Sequence, residues 1–452
     1  MHRAAGAVCA FLLMLAAPAG ATTLLQAWQA AQQHDPEFAA ARAAFEAGNT
    51  RREQASALWR PSLVLSAGAG RMSGDTSMSG AQFSAPGFGQ SSGVRFDTSI
   101  GSGRMQRYTL AVKQPLLDRA RLAQSRQLSL GADVAEAQWQ DARQALMLRV
   151  SERYFEALVA AETLRLLLLQ QGAVDRALAE ARDRFKLGDV AVTDTYEAQA
   201  RADTLTAQVL AADADLQLRQ AAFSDLTGSA PQELAHPRAG PAIARTLAPL
   251  ARWLLDTAAN NPMLAIQQKN QAVAREEAAR HAALGAPSLD LVAELGRDRQ
   301  DGGGDFGSAS NTASKRMIGV QLTVPLYTGG YRSAKRQEAL HLVDQARAEG
   351  DRLRQQIALQ TRAAWLGLTA GASRVAALEQ AARSSRARLD ATRLGHEVGD
   401  RTTLDLLNAE NDATGAELAL LQARSALALD RLRLSALAGT LDESTLRSVS
   451  EM

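Results

Sequence analysis

From Ser288 to Leu295 apolar and polar side chains alternate: Leu289, Leu291, Ala293 and Leu295 share one face, and Ser288, Asp290, Val292 and Glu294 the other. The pattern returns from Met317 to Val324, where Ile318, Val320, Leu322 and Val324 oppose Met317, Gly319, Gln321 and Thr323. A period of two is that of a β-strand. One apolar and one charged face over about 9–10 residues suits a barrel strand between lipid and water, and equally a half-buried sheet in a soluble domain. Elsewhere the period is helical. Between Asp118 and Lys186 there is no proline, and the only glycines are Gly131 and Gly172, which predicts a helix roughly 100 Å long. Heptad rows run through it: Met147, Tyr154, Ala161 and Leu168 in one, Val150, Ala157 and Leu164 in the next. Such rows predict antiparallel coiled-coil packing.

The chain says nearly everything twice. "RPSLVLSAGAG" from Arg60 faces "APSLDLVAELG" from Ala286, and His34-Asp35-Pro36 faces Asn260-Asn261-Pro262, both 226 residues apart. "AVKQPLLD" faces "QLTVPLYT" at a spacing of 210, and "KLGDVAVTDTYEA" (from Lys186) faces "EVGDRTTLDLLNA" (from Glu397) at 211. "FSDLTG", ending at Gly228, faces "LSALAG", ending at Gly439. After the GD turn, Ala198, Leu205 and Ala212 pair with Ala202, Val209, Leu216 and Phe223, and the second copy repeats this from Ala409 to Leu434. Each copy therefore predicts one order: a helix opening at Asp35-Pro36 or Asn261-Pro262, a strand, a loop, a strand, a very long helix, a sharp turn and a last helix. The loops are expected at 71–107 and 297–316, rich in Gly and Ser. The divisions expected are 1–21 for a signal peptide, 22–228 for the first repeat, 229–250 for a Pro-rich equatorial segment, 251–439 for the second repeat and 440–452 for an equatorial tail.

The signal peptide rests on Arg3, the short apolar core "VCAFLLMLAA" and the Ala19-Gly20-Ala21 cleavage pattern. The only cysteine, Cys9, leaves with it, so the exported chain carries no disulfide. Fifty Lys+Arg against 48 Asp+Glu give a net charge of +2 with no basic block, and no nucleic-acid partner is implied. No later apolar run is expected to span a bilayer as a helix, so any membrane entry is by strands. The six histidines have no metal spacing, no Gly-rich phosphate loop is present, and no cofactor or catalytic residue is indicated. "DGGGDFG", Asp301–Gly307, reads as a flexible loop.

Four strands cannot close a membrane barrel, since single-chain barrels start at about eight, and an open sheet cannot sit in lipid. Several chains must then contribute to one barrel. The competing reading is a soluble periplasmic coiled-coil protein whose hairpins pack on a partner.

At this point the residues resemble a family, the TolC-like outer membrane efflux and secretion proteins. The carriers are "HDPEFAAARA", "RPSL" and "APSL", "VPLYTGG", "DRFKLGDVAVTD", "EVGDRTTLDLLNA" and the LTG/LAG endings, in order and across essentially the whole exported chain. The resemblance implies a mixed α+β membrane protein. In it, each duplicated protomer gives four strands to a shared 12-stranded barrel of a homotrimer, and long coiled-coil helices form a periplasmic tunnel. It further implies residence in the outer membrane lipid of a Gram-negative bacterium and a passive, non-enzymatic export role. The implied partners are a periplasmic adaptor (membrane fusion) protein and an inner-membrane transporter, either ABC-type or proton-driven. The "HDPE" opening is similar to that of secretion-type members and favours type I protein secretion over small-molecule efflux.

The same resemblance places a gate at the two GD turns. Asp405 matches an aspartate lining the pore entrance. Arg401, Thr193 and Asp194 match links that hold the inner helix pair to its neighbours. Two positions depart: His396 stands where the best-known member has a gate tyrosine, and Asn408 where it has a second pore aspartate, for which Glu197 is the repeat partner. Read from the residues alone, Asp194 and Asp405 also fit helix-start acids, Asp194 more so than Asp405. The turns Gly188-Asp189-Val190 and Gly399-Asp400 are expected to meet the adaptor, or simply to close a helix–helix turn.

Overall fold

The computed structural model describes residues 22–230, 233–236, 247–305 and 307–451. The expected signal peptide, and Pro231, Pro237 and Pro241 of the expected equatorial segment, lie outside them. Two compact units emerge: Met1–Glu46, Ala135–Ile266 and Gly350–Met452 in one, Ala47–Val134 and Gln267–Glu349 in the other. Each unit draws on both sequence repeats.

The elements run α1 (Leu24–His34), α2 (Pro36–Ala57), β1 (Ser62–Ala85), β2 (Gly89–Leu117), α3 (Arg119–Leu187), α4 (Val192–Thr227), α5 (Leu250–Asn260), α6 (Pro262–Ala283), β3 (Ser288–Gly304), β4 (Gly307–Thr323), α7 (Tyr331–Glu397), α8 (Thr403–Leu437) and α9 (Glu443–Glu451). The strand–strand–long helix–helix order thus recurs. An extra 11-residue helix, α1 or α5, precedes the helix expected at each proline. Pro36 and Pro262 interrupt what would otherwise be one helix, because a proline lacks the N–H to continue it. Asp35 and Asn261 end one helix and begin the next.

That shared position shows why one copy has Asp and the other Asn. The Asp35 carboxylate accepts from Phe38 N–H at 3.1 Å and from Arg149 at 2.5 Å. Asn261 accepts from Leu264 N–H at 3.1 Å, but its amide must also donate to the Leu437 carbonyl at 2.9 Å, which a carboxylate cannot do.

The first unit's core joins Leu24 and Trp28 of α1, Phe38 of α2, Met147, Val150 and Tyr154 of α3, and Phe223 of α4. To these it adds Leu368 and Val375 of α7, Leu427 and Leu434 of α8, and Leu446 of α9. Tyr154 is buried edge-on to Phe155, and its hydroxyl lies 2.8 Å from the Thr22 carbonyl and 2.9 Å from that of Ala235. The heptad rows supply this core, but Leu168 at the end of its row is exposed. One 18-residue window of α3 reaches a mean hydropathy of 1.2, against the expectation that no later helix is apolar enough to span a bilayer. A third of that window is buried: Leu158 and Leu166 are covered, while Leu168 and Leu169 face outward.

In the second unit the strands form one antiparallel sheet in the order β1-β2-β3-β4. They are 24, 29, 17 and 17 residues long, not 9–10. The Gly/Ser-rich segments expected as loops, the Asp301 stretch included, are strand almost to the hairpin tips. Pairing continues from Met72 opposite Gly103 to Ala85 opposite Gly89, and from Arg297 opposite Ser314 to Gly304 opposite Gly307. The alternation fades there because polar side chains occupy both faces, while the backbone ladder persists. On one face, register aligns Leu63, Val112, Ala293 and Ile318 in one row and Leu65, Leu110 and Leu295 in the next; Leu291 with Val320 and Leu289 with Leu322 lie beyond. This apolar face is open: Ile318 is 79% and Leu65 71% exposed. The opposite face carries charge, with Lys113 2.9 Å from Asp290 and Arg107 2.6 Å from Asp298.

Each copy ends at a glycine with positive φ, Gly228 (73°) and Gly439 (68°). A Cβ on Gly228 would lie 2.7 Å from the His34 ring; on Gly439 it would lie 2.1 Å from the backbone oxygen of Asn260. A side chain yields more easily than a backbone. Gly228→Ala is therefore expected to cost about 1–2 kcal/mol and Gly439→Ala distinctly more, seen as a larger drop in the thermal unfolding midpoint in detergent. Equal drops would show that the two contacts are equally rigid.

Candidate functional site

The two GD turns lie together at one end of the first unit and are built alike. Gly188 (φ 79°) donates to the Phe185 carbonyl at 3.0 Å and Asp189 to that of Arg184 at 2.9 Å. Gly399 (φ 80°) donates to His396 at 3.1 Å and Asp400 to Gly395 at 2.8 Å. This is the Schellman closure, which needs a left-handed residue at the glycine. No atom lies within 4 Å of where a Cβ would stand on either glycine, so backbone conformation alone, not crowding, calls for glycine. Asp189 and Asp400 are exposed, Val190 is half-buried, and the apolar Leu187 and Val398 beside the glycines are 77% and 73% exposed.

The helices leaving the turns start differently. α4 follows Ala191, which provides no side-chain cap. α8 follows Thr402, which forms a reciprocal cap with Asp405. The Asp405 carboxylate accepts from the Thr402 N–H at 3.0 Å and hydroxyl at 2.9 Å, and the Asp405 N–H donates back to that hydroxyl at 3.1 Å. The backbone bond first, then the hydroxyl, hold Asp405 below the usual carboxylate range; the nearby Arg401 charge adds to this. Both acceptor bonds use one oxygen, Oδ2. Asp194, uncapped by Ala191, receives only the Thr193 hydroxyl, at 3.3 Å, among the described residues. His396 Nε2 lies 3.3 Å from the Thr403 hydroxyl. Asn408 sits half-buried one turn beyond Asp405.

A hollow of about 350 Å³ between the turns gathers Val190, Asp194, Gly399 and Arg401 with Arg184, Glu197, Arg201, Thr402 and Thr403. Thr193, His396 and Asn408 do not line it, nor do Gly188, Asp189 and Asp400. Arg184 and Arg201 were not singled out by sequence, since each stands in an ordinary run of helix charges. Also missed was Gln170, whose amide donates at 3.0 Å to Asn411 and ties α3 to α8. Its signal was a glutamine closing the otherwise apolar run "LLLLQ". Beneath the hollow a small core of Val174, Ala177, Leu178, Ala181, Ala198, Ala202, Leu205 and Leu407 packs the helix pairs. Among the described residues no group of three or more His, Cys, Asp or Glu is arranged to hold a metal. The site's chemistry is electrostatic, with acids and arginines around the hollow.

A sequence profile of the family described as outer membrane efflux protein matches residues 27–229 and 253–440, both copies of the duplication. The alkaline protease secretion protein AprF of Pseudomonas aeruginosa is 30% identical over 448 residues, covering 98% of this chain and 89% of that protein. The proteases secretion protein PrtF of Dickeya chrysanthemi is 28% identical, covering 100% and 95%. Among solved structures, the outer membrane protein VceC of Vibrio cholerae shares the fold with a TM-score of 0.69 at 20% identity, covering 92% of this chain and 96% of that one. The chain belongs to the outer membrane efflux protein family.

Proposed function

We propose that this chain forms, as a homotrimer, the outer membrane duct of a type I protein secretion system. In this reading it performs no chemistry of its own and works with an inner-membrane ABC-type transporter and a periplasmic adaptor. The observation that carries the duct is the open four-stranded sheet, with a bare apolar face and charges on the other. Three copies, β4 of one pairing with β1 of the next, would close 12 strands with lipid outside and water inside. Exposed apolar residues on the helices, such as Leu169, Leu210, Leu218 and Leu359, suit contact between copies. Protein cargo is favoured by relatives named for protease secretion that align along nearly the whole chain. Deleting the gene is expected to abolish export of a secreted protein while leaving sensitivity to small toxic compounds nearly unchanged; the reverse outcome would assign efflux instead.

At the turns we assign adaptor contact to Leu187, Asp189, Val190, Val398 and Asp400. Gly188 and Gly399 hold those side chains in place through their backbone conformation. Asp189→Lys with Asp400→Lys, which spare the glycines, should stop export with membrane insertion intact; undiminished export would show that the adaptor grips elsewhere.

We assign the resting closure to Arg401 and Asp194 across the tip hollow, with Thr193 and His396 supporting through their neighbours, and the entrance ring to Asp405, with Asn408 and Glu197 beside it. Such exposed links are worth about 1 kcal/mol or less each, so several per trimer must act together. Arg401→Ser with His396→Phe should raise single-channel conductance in planar bilayers; no change would refute the closure. Asp405→Asn keeps an oxygen to accept from Thr402 and removes only the charge, so it should weaken block by multivalent cations. Because the Asp405 carboxylate stays ionised below the usual range, native block should persist as pH falls to the ordinary carboxylate value. Block lost above that value would remove Asp405 from the ring.

A further inference from the structure

The apolar face of the sheet does not simply end toward the hairpin tips; it changes into a ladder of arginines. In register order, the last apolar row, Leu65, Leu110 and Leu295, already ends in Arg316. The next row on that face sets Tyr108 opposite Arg297, the next Gln106 opposite Arg299, and the next Arg71 opposite Arg104 and Asp301. All five arginines are exposed. Arg299 pairs with Asp301 at 2.9 Å; among the described residues no carboxylate forms an ion pair with Arg71, Arg104, Arg297 or Arg316. Arg71 and Arg104 stand directly across from each other, an arrangement of like charges that is unfavourable unless an anion lies between them. Together with Asp301 and Ser310 they line an open hollow of about 990 Å³.

We infer that this ladder binds the phosphate-bearing headgroup of the glycolipid in the outer leaflet, with that headgroup standing against the outside of the barrel. The inference rests on the reading of the apolar face as lipid-facing. The long helices leave from the opposite ends of these strands, at Leu117 and after Thr323, so the arginines lie on the side away from the periplasm. Arg316 is level with the edge of the apolar band. Arg297, Arg299 and the Arg71–Arg104 pair follow at about 7, 13 and 20 Å along the strand. A phospholipid carries its phosphate only at the boundary. A ladder this tall matches a headgroup that bears phosphates at several heights, as lipopolysaccharide does. Guanidinium forks suit phosphate oxygens, and Tyr108, 53% exposed at the boundary row, has an aromatic ring with a polar tip suited to that interface.

The test uses the full-length protein purified from membranes, with Arg71, Arg104, Arg297 and Arg299 changed together to Gln, and a companion with the same four changed to Lys. Lipopolysaccharide retained per protein and the rise in unfolding midpoint on adding lipopolysaccharide are measured, with phosphatidylglycerol and inorganic phosphate as comparison probes. Membrane insertion is scored separately from the membrane fraction. The native protein should retain lipopolysaccharide and be stabilised by it, and by neither comparison probe. Each cation near an anionic membrane surface is worth about fivefold, so the Gln variant, lacking four, should insert normally and bind about six hundredfold more weakly, while the Lys variant, which keeps the charge but not the fork, should fall between the Gln variant and the native protein. Equal retention by native protein and Gln variant, or equal stabilisation by phosphatidylglycerol, would overturn the inference. Failure of the native chain to insert would instead strike the membrane reading beneath it.

Discussion

The unpaired edges of β1 and β4 set the conditions for everything else. A sheet in the order β1-β2-β3-β4 leaves one side of a 24-residue strand and one side of a 17-residue strand without backbone partners. In water such edges invite pairing with other chains; in hydrocarbon each unsatisfied amide costs several kcal/mol. The bare apolar face of the same sheet calls for lipid. Lipid on the face and no free edge are compatible only in a closed barrel, which one chain cannot make. Whatever number of copies closes the barrel also fixes the number of copies at every helix face and at the tips.

The duplication explains how one chain meets these demands with few devices. Each copy spends a proline to break a helix pair, an Asp or Asn to cap it, and a left-handed glycine to end the last helix. The copies then diverge where their neighbours differ. Asp35 answers Arg149 whereas Asn261 answers a carbonyl. Thr402 caps its helix through Asp405, whereas Ala191 leaves Asp194 uncapped. At the tip that difference separates two aspartates in equivalent places: Asp405 is committed through one oxygen to its own helix start, and Asp194 faces a hollow shared with Arg401.

Much of the fold was legible because its signals are local or repeated. Pro36 with Pro262, the GD turns and the alternation of Leu289–Leu295 each carry their own physical reason. The full strand lengths were not legible, because beyond Gly296 polar side chains stand on both faces and the period-two signal is lost. Helices α1 and α5 were missed because eleven residues hold too few periods to stand out. At the site, the glycine turns and the acids at helix starts could be named from sequence. The grouping of Arg184, Glu197 and Arg201 with Arg401 could not, because it depends on how two helix pairs meet, and the Gln170–Asn411 bond spans 241 residues.

Closure of β4 on β1 between copies is most directly tested by disulfide trapping. The chain's only cysteine is Cys9, inside the expected signal peptide, so introduced pairs meet a clean background. β1 and β4 lie on opposite edges of one chain's sheet, so any bond between them joins two copies. Ala67→Cys would be combined in turn with Thr312→Cys, Ser314→Cys and Arg316→Cys, which point to the same face of the sheet, and the protein oxidised in outer membranes. The account predicts that at least one pair yields a covalent trimer and nothing larger. No cross-link at any pair, or a ladder extending past three chains, would contradict it.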